Sequence, residues 1–476
     1  MSFLAIDLGQ HSIKFAKSSE NDAQPEHFEI LFETLIDPNN QIVAVGNDAI
    51  DRYLKRDLNT PRGVRLFKED LREKTDKKQL QPDQIMAAFF KKARESFFSN
   101  DRFELIIVTF THDIFVDNND YVETILNLIK DTFKPNKVVA LNEHVSAASS
   151  FHVSSDIKLQ EGIICDLGKK HLKLSYFKAE NNVIVFKNQK TEPYSNLEDC
   201  FLNELNIPAG LPEPQKIQVL KDFRTAFFGK DKSEHYFNAL DNAVMNDDDG
   251  GLQSLLFFEF PLPEELKSAG IKNAFSYKDV YTPYSTFANG IVKRIDGFIA
   301  EIDGLKQTNN LAVYVIGAPA RVIGFDHLLN QNSMNISPSF SFYLPPDPKH
   351  AIVNDSISVV LNNIKIYPDF TVKLQYKKKL IKNGKIVYIM KDIETAKTLN
   401  LGERKELSSV LVDSSTSNTG IYQNGKELNS NDHLTKGKYS LWQSVSRFGM
   451  PVFYLIKRDD ANTNPIILKK GEQQNV

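Results

Sequence analysis

Two segments of the chain repeat one pattern, an apolar run that ends in Asp-Leu-Gly and leads into an alternating run. In the first, Phe3 to Ile6 precedes Asp7-Leu8-Gly9, and alternation follows from Ser12 to Lys17. In the second, Gly162 to Phe177, the run Ile163-Ile164-Cys165 precedes Asp166-Leu167-Gly168. Each reads as strand, tight turn, strand, and two copies point to an internal duplication. One Asp-x-Gly turn constrains little, because any hairpin can carry it; two, each behind an apolar strand, constrain far more. Glycine in such a turn lets backbone N–H groups approach a phosphate chain. An Asp at the strand end can hold a hydrated magnesium ion through water.

Between the copies the pattern is α/β. Asp83 to Phe98 and Tyr121 to Phe133 have helical spacing, Glu104 to Phe110 and Lys137 to Leu141 read as strands, and a helix begins near Glu143. Beyond the second copy come a helix-rich stretch from Leu197 to Val244, a strand from Leu311 to Ile316, a helix around Arg321 to Leu329 and a last helix from Asp347 to Ile364. After Ile366 strand-like runs alternate with turns such as Asn383-Gly384 and Asn424-Gly425. The boundary falls near Lys365: residues 1–365 form one α/β unit and residues 366–476 an all-β domain, with Trp442, Phe448, Phe453 and Tyr454 as its core.

In order along the chain, several motifs resemble those of the heat-shock protein 70 family, the DnaK-type chaperones, within the actin and sugar-kinase superfamily. They are Ile6-Asp7-Leu8-Gly9, Val45-Gly46-Asn47-Asp48-Ala49, Arg65-Leu66-Phe67-Lys68-Glu69-Asp70-Leu71, Gln81-Pro82-Asp83-Gln84-Ile85, Ile106-Ile107-Val108-Thr109-Phe110, Leu141-Asn142-Glu143-His144, Ile164-Cys165-Asp166-Leu167-Gly168, Val315-Ile316-Gly317-Ala318-Pro319-Ala320-Arg321 and Asp347-Pro348-Lys349-His350-Ala351. The resemblance covers about residues 3–364. It implies a duplicated actin-like ATPase fold whose two lobes close on ATP or ADP with magnesium, followed by a β-sandwich that grips polypeptide. It makes Asp7, Lys68, Glu143 and Asp166 the catalytic set, with Asp7 and Asp166 holding magnesium through water. Gly9, Gln10, His11, Gly168, Lys169, Lys170, His171, Gly317, Ala318 and Arg321 would contact the nucleotide.

The departures bear on function. Where the family's second loop continues with two glycines and a threonine, this chain has Lys169, Lys170 and His171; Gln10-His11 replace small hydroxyl residues, and Asn354-Asp355-Ser356 replace a Gly-Ala-Ala run. The two lysines either grip a polyphosphate by charge or crowd the site and impair hydrolysis. The linker Lys365-Ile366-Tyr367-Pro368-Asp369-Phe370 lacks the family's Leu-rich pattern, and the remaining chain is too short for a sandwich plus a lid. Three readings stay open: a nucleotide-switched chaperone or co-chaperone, a non-hydrolysing docking relative, and an actin-like filament protein or sugar kinase.

Other features exclude more than they assign. A formal net charge of −3 argues against a nucleic-acid or anionic-membrane partner. With two cysteines, Cys165 and Cys200, there is no disulfide framework, and neither a secretory signal nor a spanning segment stands out, so a cytosolic location is expected. Asp247-Asp248-Asp249 lacks the spacing of an EF-hand loop, and no zinc, triad or P-loop signature is present.

Overall fold

A computed structural model describes residues 2–9, 12–19, 24–36, 41–54, 62–65, 82–111, 119–154, 161–168, 171–180, 183–195, 197–202, 204–228, 256–302, 305, 311–321, 325–333, 340–361, 374–382, 385–395, 404–412, 416–423, 426–445, 451–458 and 465–470. The first lobe runs β1 (Ser2–Leu8), β2 (Ser12–Ser19), β3 (Glu26–Leu31), β4 (Glu33–Ile36), β5 (Ile42–Val45), α1 (Asn47–Leu54), β6 (Arg62–Arg65), α2 (Pro82–Phe97), β7 (Leu105–Phe110), α3 (Asn119–Phe133), β8 (Lys137–Asn142) and α4 (Glu143–Ser154). The second runs β9 (Glu161–Leu167), β10 (His171–Glu180), β11 (Val183–Pro193), α5 (Leu197–Leu202), α6 (Glu213–Phe228), β12 (Leu256–Glu259), α7 (Glu264–Ser268), β13 (Ala274–Ser276), α8 (Tyr277–Ala300), β14 (Leu311–Ile316), α9 (Phe325–Ser333), β15 (Phe340–Tyr343) and α10 (Ala351–Leu361).

The duplication is complete at the level of topology. The first main sheet has the order β3-β2-β1-β7-β8 and the second β11-β10-β9-β14-β15. In both, the first three strands are antiparallel and the last two add in parallel. The central strands β1, β7, β9 and β14 are buried along almost their whole length, as parallel strands covered on both faces must be. Ile85, Met86, Phe89, Phe90 and Ala93 form the buried stripe of α2, and Phe98, Phe103 and Phe133 pack edge-on beside it.

The last helix of each lobe packs against the other lobe. Helix α4 leaves β8 and lies on β9, β10 and β11, whereas α10 follows β15 and returns to β1, β2 and β7. The two helices meet through the buried pair Ser146 and Ser356, whose hydroxyls are 2.7 Å apart. Two mixed α/β lobes joined in this way are the actin-like ATPase fold.

Boundaries differ from expectation at two helices. Ala318–Arg321 is a 3-10 turn and α9 starts at Phe325; the segment from Asp347 opens as a 3-10 turn, Pro348–His350, before α10. The C-terminal strands are β16 (Leu374–Lys382), β17 (Lys385–Ile393), β18 (Arg404–Val412), β19 (Thr416–Gln423), β20 (Lys426–Leu434), β21 (Gly437–Val445), β22 (Pro451–Lys457) and β23 (Ile466–Lys470). They form one antiparallel sheet in the order β17-β16-β19-β20-β23-β22-β21-β18. The Tyr376 hydroxyl on β16 bonds the backbone of Leu411 on β18, so the sheet curls into a half-barrel. Phe453 and Tyr454 are buried and Tyr454 stacks on the half-buried Trp442; Phe448 lies outside the described residues. Buried residues of the half-barrel and of the first lobe belong to one apolar cluster.

Candidate functional site

Both Asp-Leu-Gly turns stand at the C-terminal ends of central strands, the edge where open α/β sheets place ligands. Each turn needs glycine for its own closure. A Cβ at Gly9 would lie 2.9 Å from the Ser12 carbonyl oxygen, and one at Gly168 would lie 2.8 Å from that of His171. The Gly168 N–H donates to the same His171 oxygen at 3.1 Å. Gly317, at φ +106°, tolerates no side chain at all: a Cβ would sit 2.3 Å from the Leu167 carbonyl oxygen. Its N–H donates to the Pro348 carbonyl at 2.9 Å, which ties the expected adenosine turn to the segment ahead of α10. Ala318 follows it, half-buried, at the start of the 3-10 turn.

Asp7, Glu143 and Asp166 are all buried, and the fold brings them together from three strand or helix ends. The Thr109 hydroxyl, at the end of β7, donates to Asp7 Oδ1 at 3.3 Å. Asn142 caps α4, its Oδ1 accepting the His144 N–H at 2.9 Å, and this fixes Glu143 at the first turn of the helix. The His144 ring contacts the Ser175 hydroxyl on β10.

Each aspartate faces a lysine directly across its hairpin. Asp7 pairs with Lys14 in the β1–β2 register, and Asp166 with Lys173 in the β9–β10 register. Lys14 Nζ lies 3.2 Å from Asp7 Oδ2. Lys173 Nζ lies 3.0 Å from Asp166 Oδ2 and also donates to Glu143 Oε1, so one ammonium bridges the two lobes. Burial works against the charge on Lys173, but Asp166 and Glu143 outweigh it and hold the ammonium well above its ordinary value. Lys14 is raised in the same way: burial opposes the charge, and Asp7, Glu29 and, across the cleft, Asp166 prevail. Burial, helped by Asp166, pushes the Cys165 thiol far up and leaves it inert.

This donor set does not fit a hydrated magnesium ion. Magnesium asks for an octahedral shell of oxygens with several waters. Here an ammonium stands between Glu143 and Asp166 and a second stands on Asp7, so two of the three negative charges that would draw the ion are already balanced. A cavity of about 120 Å³, lined in part by Thr111, His144, Lys173 and Gln189, adjoins the bridge.

Of the residues expected to act, the structure gathers Asp7, Glu143 and Asp166, and sets Gly9, Gly168, His171, Gly317 and Ala318 at the surrounding turns. Lys68, Gln10, His11, Lys169 and Lys170 lie outside the described residues, as do the Arg321 side chain and Asp247-Asp248-Asp249. Lys173 is the residue that sequence reasoning missed. The signal was present: a lysine stands seven positions after the aspartate in both copies, at Lys14 and Lys173.

Fold and site thus define a protein of the actin-like ATPase fold whose cleft carboxylates are paired with lysines. No known protein family matches the chain, and no curated protein matches it in sequence. Among solved structures it is similar to a non-polymerising mutant of MamK bound to AMPPNP, at 12% identity and a TM-score of 0.45, over 75% of this chain and 98% of that one. The assignment of fold rests on the duplicated topology and not on this likeness. Among the described residues no helix is long and apolar enough to cross a membrane.

Proposed function

We propose that this chain is a chaperone-like docking protein that keeps the actin-like fold without running an ATP-hydrolysis cycle. The observation that carries the reading is the Lys173 bridge between Glu143 and Asp166, mirrored by Lys14 on Asp7. Hydrolysis in this fold class asks carboxylates to organise a metal and an attacking water; carboxylates tied to lysines are poorly suited to either task.

The half-barrel supplies the docking surface in this reading. The β16–β17 hairpin ends the sheet and exposes Ile381, Ile386 and Tyr388 at 77%, 56% and 55%. It carries Lys377, Lys378, Lys379, Lys382, Lys385 and Lys391 against a single acid, Asp392. Among the described residues β17 pairs only with β16. A free edge with this chemistry suits an extended, acidic polypeptide that adds as a further strand.

Calorimetry with ATP and ADP, with and without magnesium, tests the first half, with phosphate release measured on the same samples. The expected outcome is no magnesium-dependent binding and no turnover; micromolar magnesium-dependent ATP binding with phosphate release refutes it. Fluorescence anisotropy with a reduced, carboxymethylated unfolded protein tests the second half. Binding should be lost in Ile386→Glu/Tyr388→Glu, and equal binding by wild type and variant would sink the docking role.

A further inference from the structure

His27, Asp347 and His350 form a compact cluster, separate from the one around Glu143 and Asp166, with donor atoms within 4.8 Å of one another. His27 lies on β3, the outer strand of the first lobe's sheet, and the other two follow β15 of the second. The His27 and His350 rings lie parallel, with centroids 4.5 Å apart and an interplanar angle of 7°. Asp347 Oδ2 accepts from His350 Nδ1 at 2.8 Å and lies 4.0 Å from His27 Nδ1. The far nitrogen of His27, Nε2, is 2.6 Å from the Asn354 amide oxygen on α10. An amide oxygen only accepts, so Nε2 carries the proton, and the Nδ1 lone pair of His27 faces Asp347.

We propose that these three side chains bind a borderline transition-metal ion, zinc above all, as an inter-lobe clamp. Two imidazoles and a carboxylate are the ligand types such ions take, and a tetrahedral ion with arms of ~2.0–2.1 Å sets its donors roughly 3.3 Å apart. The two separations from Asp347 Oδ2 bracket that value; because each nitrogen's lone pair lies in its ring plane, the two rings must turn out of their parallel stack for both to face one ion. Asn354 is the outer partner that fixes the tautomer of His27, a role seen at most histidine metal sites. It also gives a purpose to one residue of the Asn354-Asp355-Ser356 departure. On binding, the His350 proton passes from Nδ1 to Nε2, and no net proton is released. The half-buried setting leaves a fourth position for water.

The clamp connects to the cleft by a short route. Asp347 and His350 flank Pro348, whose carbonyl accepts the Gly317 N–H, and Gly317 packs on the Leu167 carbonyl beside Asp166. An ion here would pin β3 to the segment that holds this turn. The inference goes beyond the docking role and holds whether or not the cleft admits nucleotide.

Cobalt(II) titrated into the full chain, read by the visible bands of a four-coordinate ion, tests the site, with zinc added in competition. Saturation at a single equivalent is expected, with displacement by zinc. Binding should vanish in His27→Ala and in His350→Ala, weaken about ten-fold in Asn354→Ala, and stay unchanged in His433→Ala, which lies on the half-barrel. Absence of saturable binding by the wild type, or binding that survives both His27→Ala and His350→Ala, overturns the proposal. The wild-type titration decides the matter even if a variant folds poorly.

Discussion

Replacing Lys173 with methionine keeps an unbranched side chain one atom shorter and removes the charge. At an effective dielectric near 20, a pair of unit charges 3.0 Å apart, the Lys173–Asp166 separation, attracts by about 5–6 kcal/mol. Desolvation offsets much of this, so the net worth of the bridge is smaller. Truncating it is a different matter, because Glu143 and Asp166 would then face each other without a cation, at 3% and 6% exposure. Breaking a buried pair in this way costs about 3–5 kcal/mol. The two carboxylates cannot both ionise freely, so one binds a proton more tightly in the folded state than in the unfolded state. A folded-state pKa raised for an acid means stability that is present at low pH and lost as pH rises, at about 1.4 kcal/mol for each tenfold gain in proton affinity. Urea denaturation of both proteins from pH 4 to pH 8 should therefore show a deficit for Lys173→Met that widens as pH rises. The variant should also gain stabilisation from millimolar magnesium, manganese or calcium that the wild type lacks, because the vacated cluster of Glu143, His144 and Asp166 has its donor atoms within 4.8 Å of one another. A wild type stabilised by magnesium as much as the variant, or a deficit that does not change with pH, would refute the reasoning.

Gly317→Ala places a Cβ 2.3 Å from the Leu167 carbonyl at a positive φ, so thermal unfolding should show a loss of about 1–3 kcal/mol from backbone strain, with the clash adding to it. Glu29 is held below its ordinary value: burial raises it, but the Lys349 charge and hydrogen bonds from Lys349 and Ser12 prevail. Its contribution is thus present above the ordinary value of 4.5 and lost as pH falls through the folded value. Glu29→Gln should flatten the acid limb of a stability profile below that pH, and parallel limbs would contradict this.

The duplicated sheet is legible because its signal is local and twice repeated: an apolar strand, Asp-Leu-Gly, and an alternating return strand. The strands β1, β2, β9 and β10 fall where the pattern places them, and α2 and α3 follow from the spacing of their apolar faces. Helix α8 is hidden from such reasoning. Pro283 lies inside it and argues against a helix from sequence alone, although Ser276 and Asp279 form a capping box at its start. In the site, Asp7, Glu143 and Asp166 are legible through motif order. The role of Lys173 is not, since a lysine in an alternating strand ordinarily reads as a solvated residue. Only the strand register, which sets it opposite Asp166, and the arrival of Glu143 from the other lobe give it two carboxylates. The glycines read as openings for phosphate; the structure gives Gly9, Gly168 and Gly317 a prior reason in turn closure and backbone contact.

The same symmetry that makes this fold a hinge in principle makes it a lock here. Each lobe's hairpin carries its own aspartate and its own lysine, so each hairpin is balanced before the halves meet. Glu143 is the residue that breaks the symmetry, because it belongs to α4, the first lobe's helix that packs on the second lobe. Its bond to Lys173 therefore holds the lobes together with the cleft's own side chains, where a nucleotide with its metal would otherwise supply the cross-link. The buried Ser146–Ser356 contact between α4 and α10 is a second link at the junction of the lobes. Opening the lobes would separate both sets of contacts and expose the Glu143 and Asp166 carboxylates together. In the docking reading proposed above, these contacts join the lobes without a ligand, as a fixed platform for the half-barrel requires.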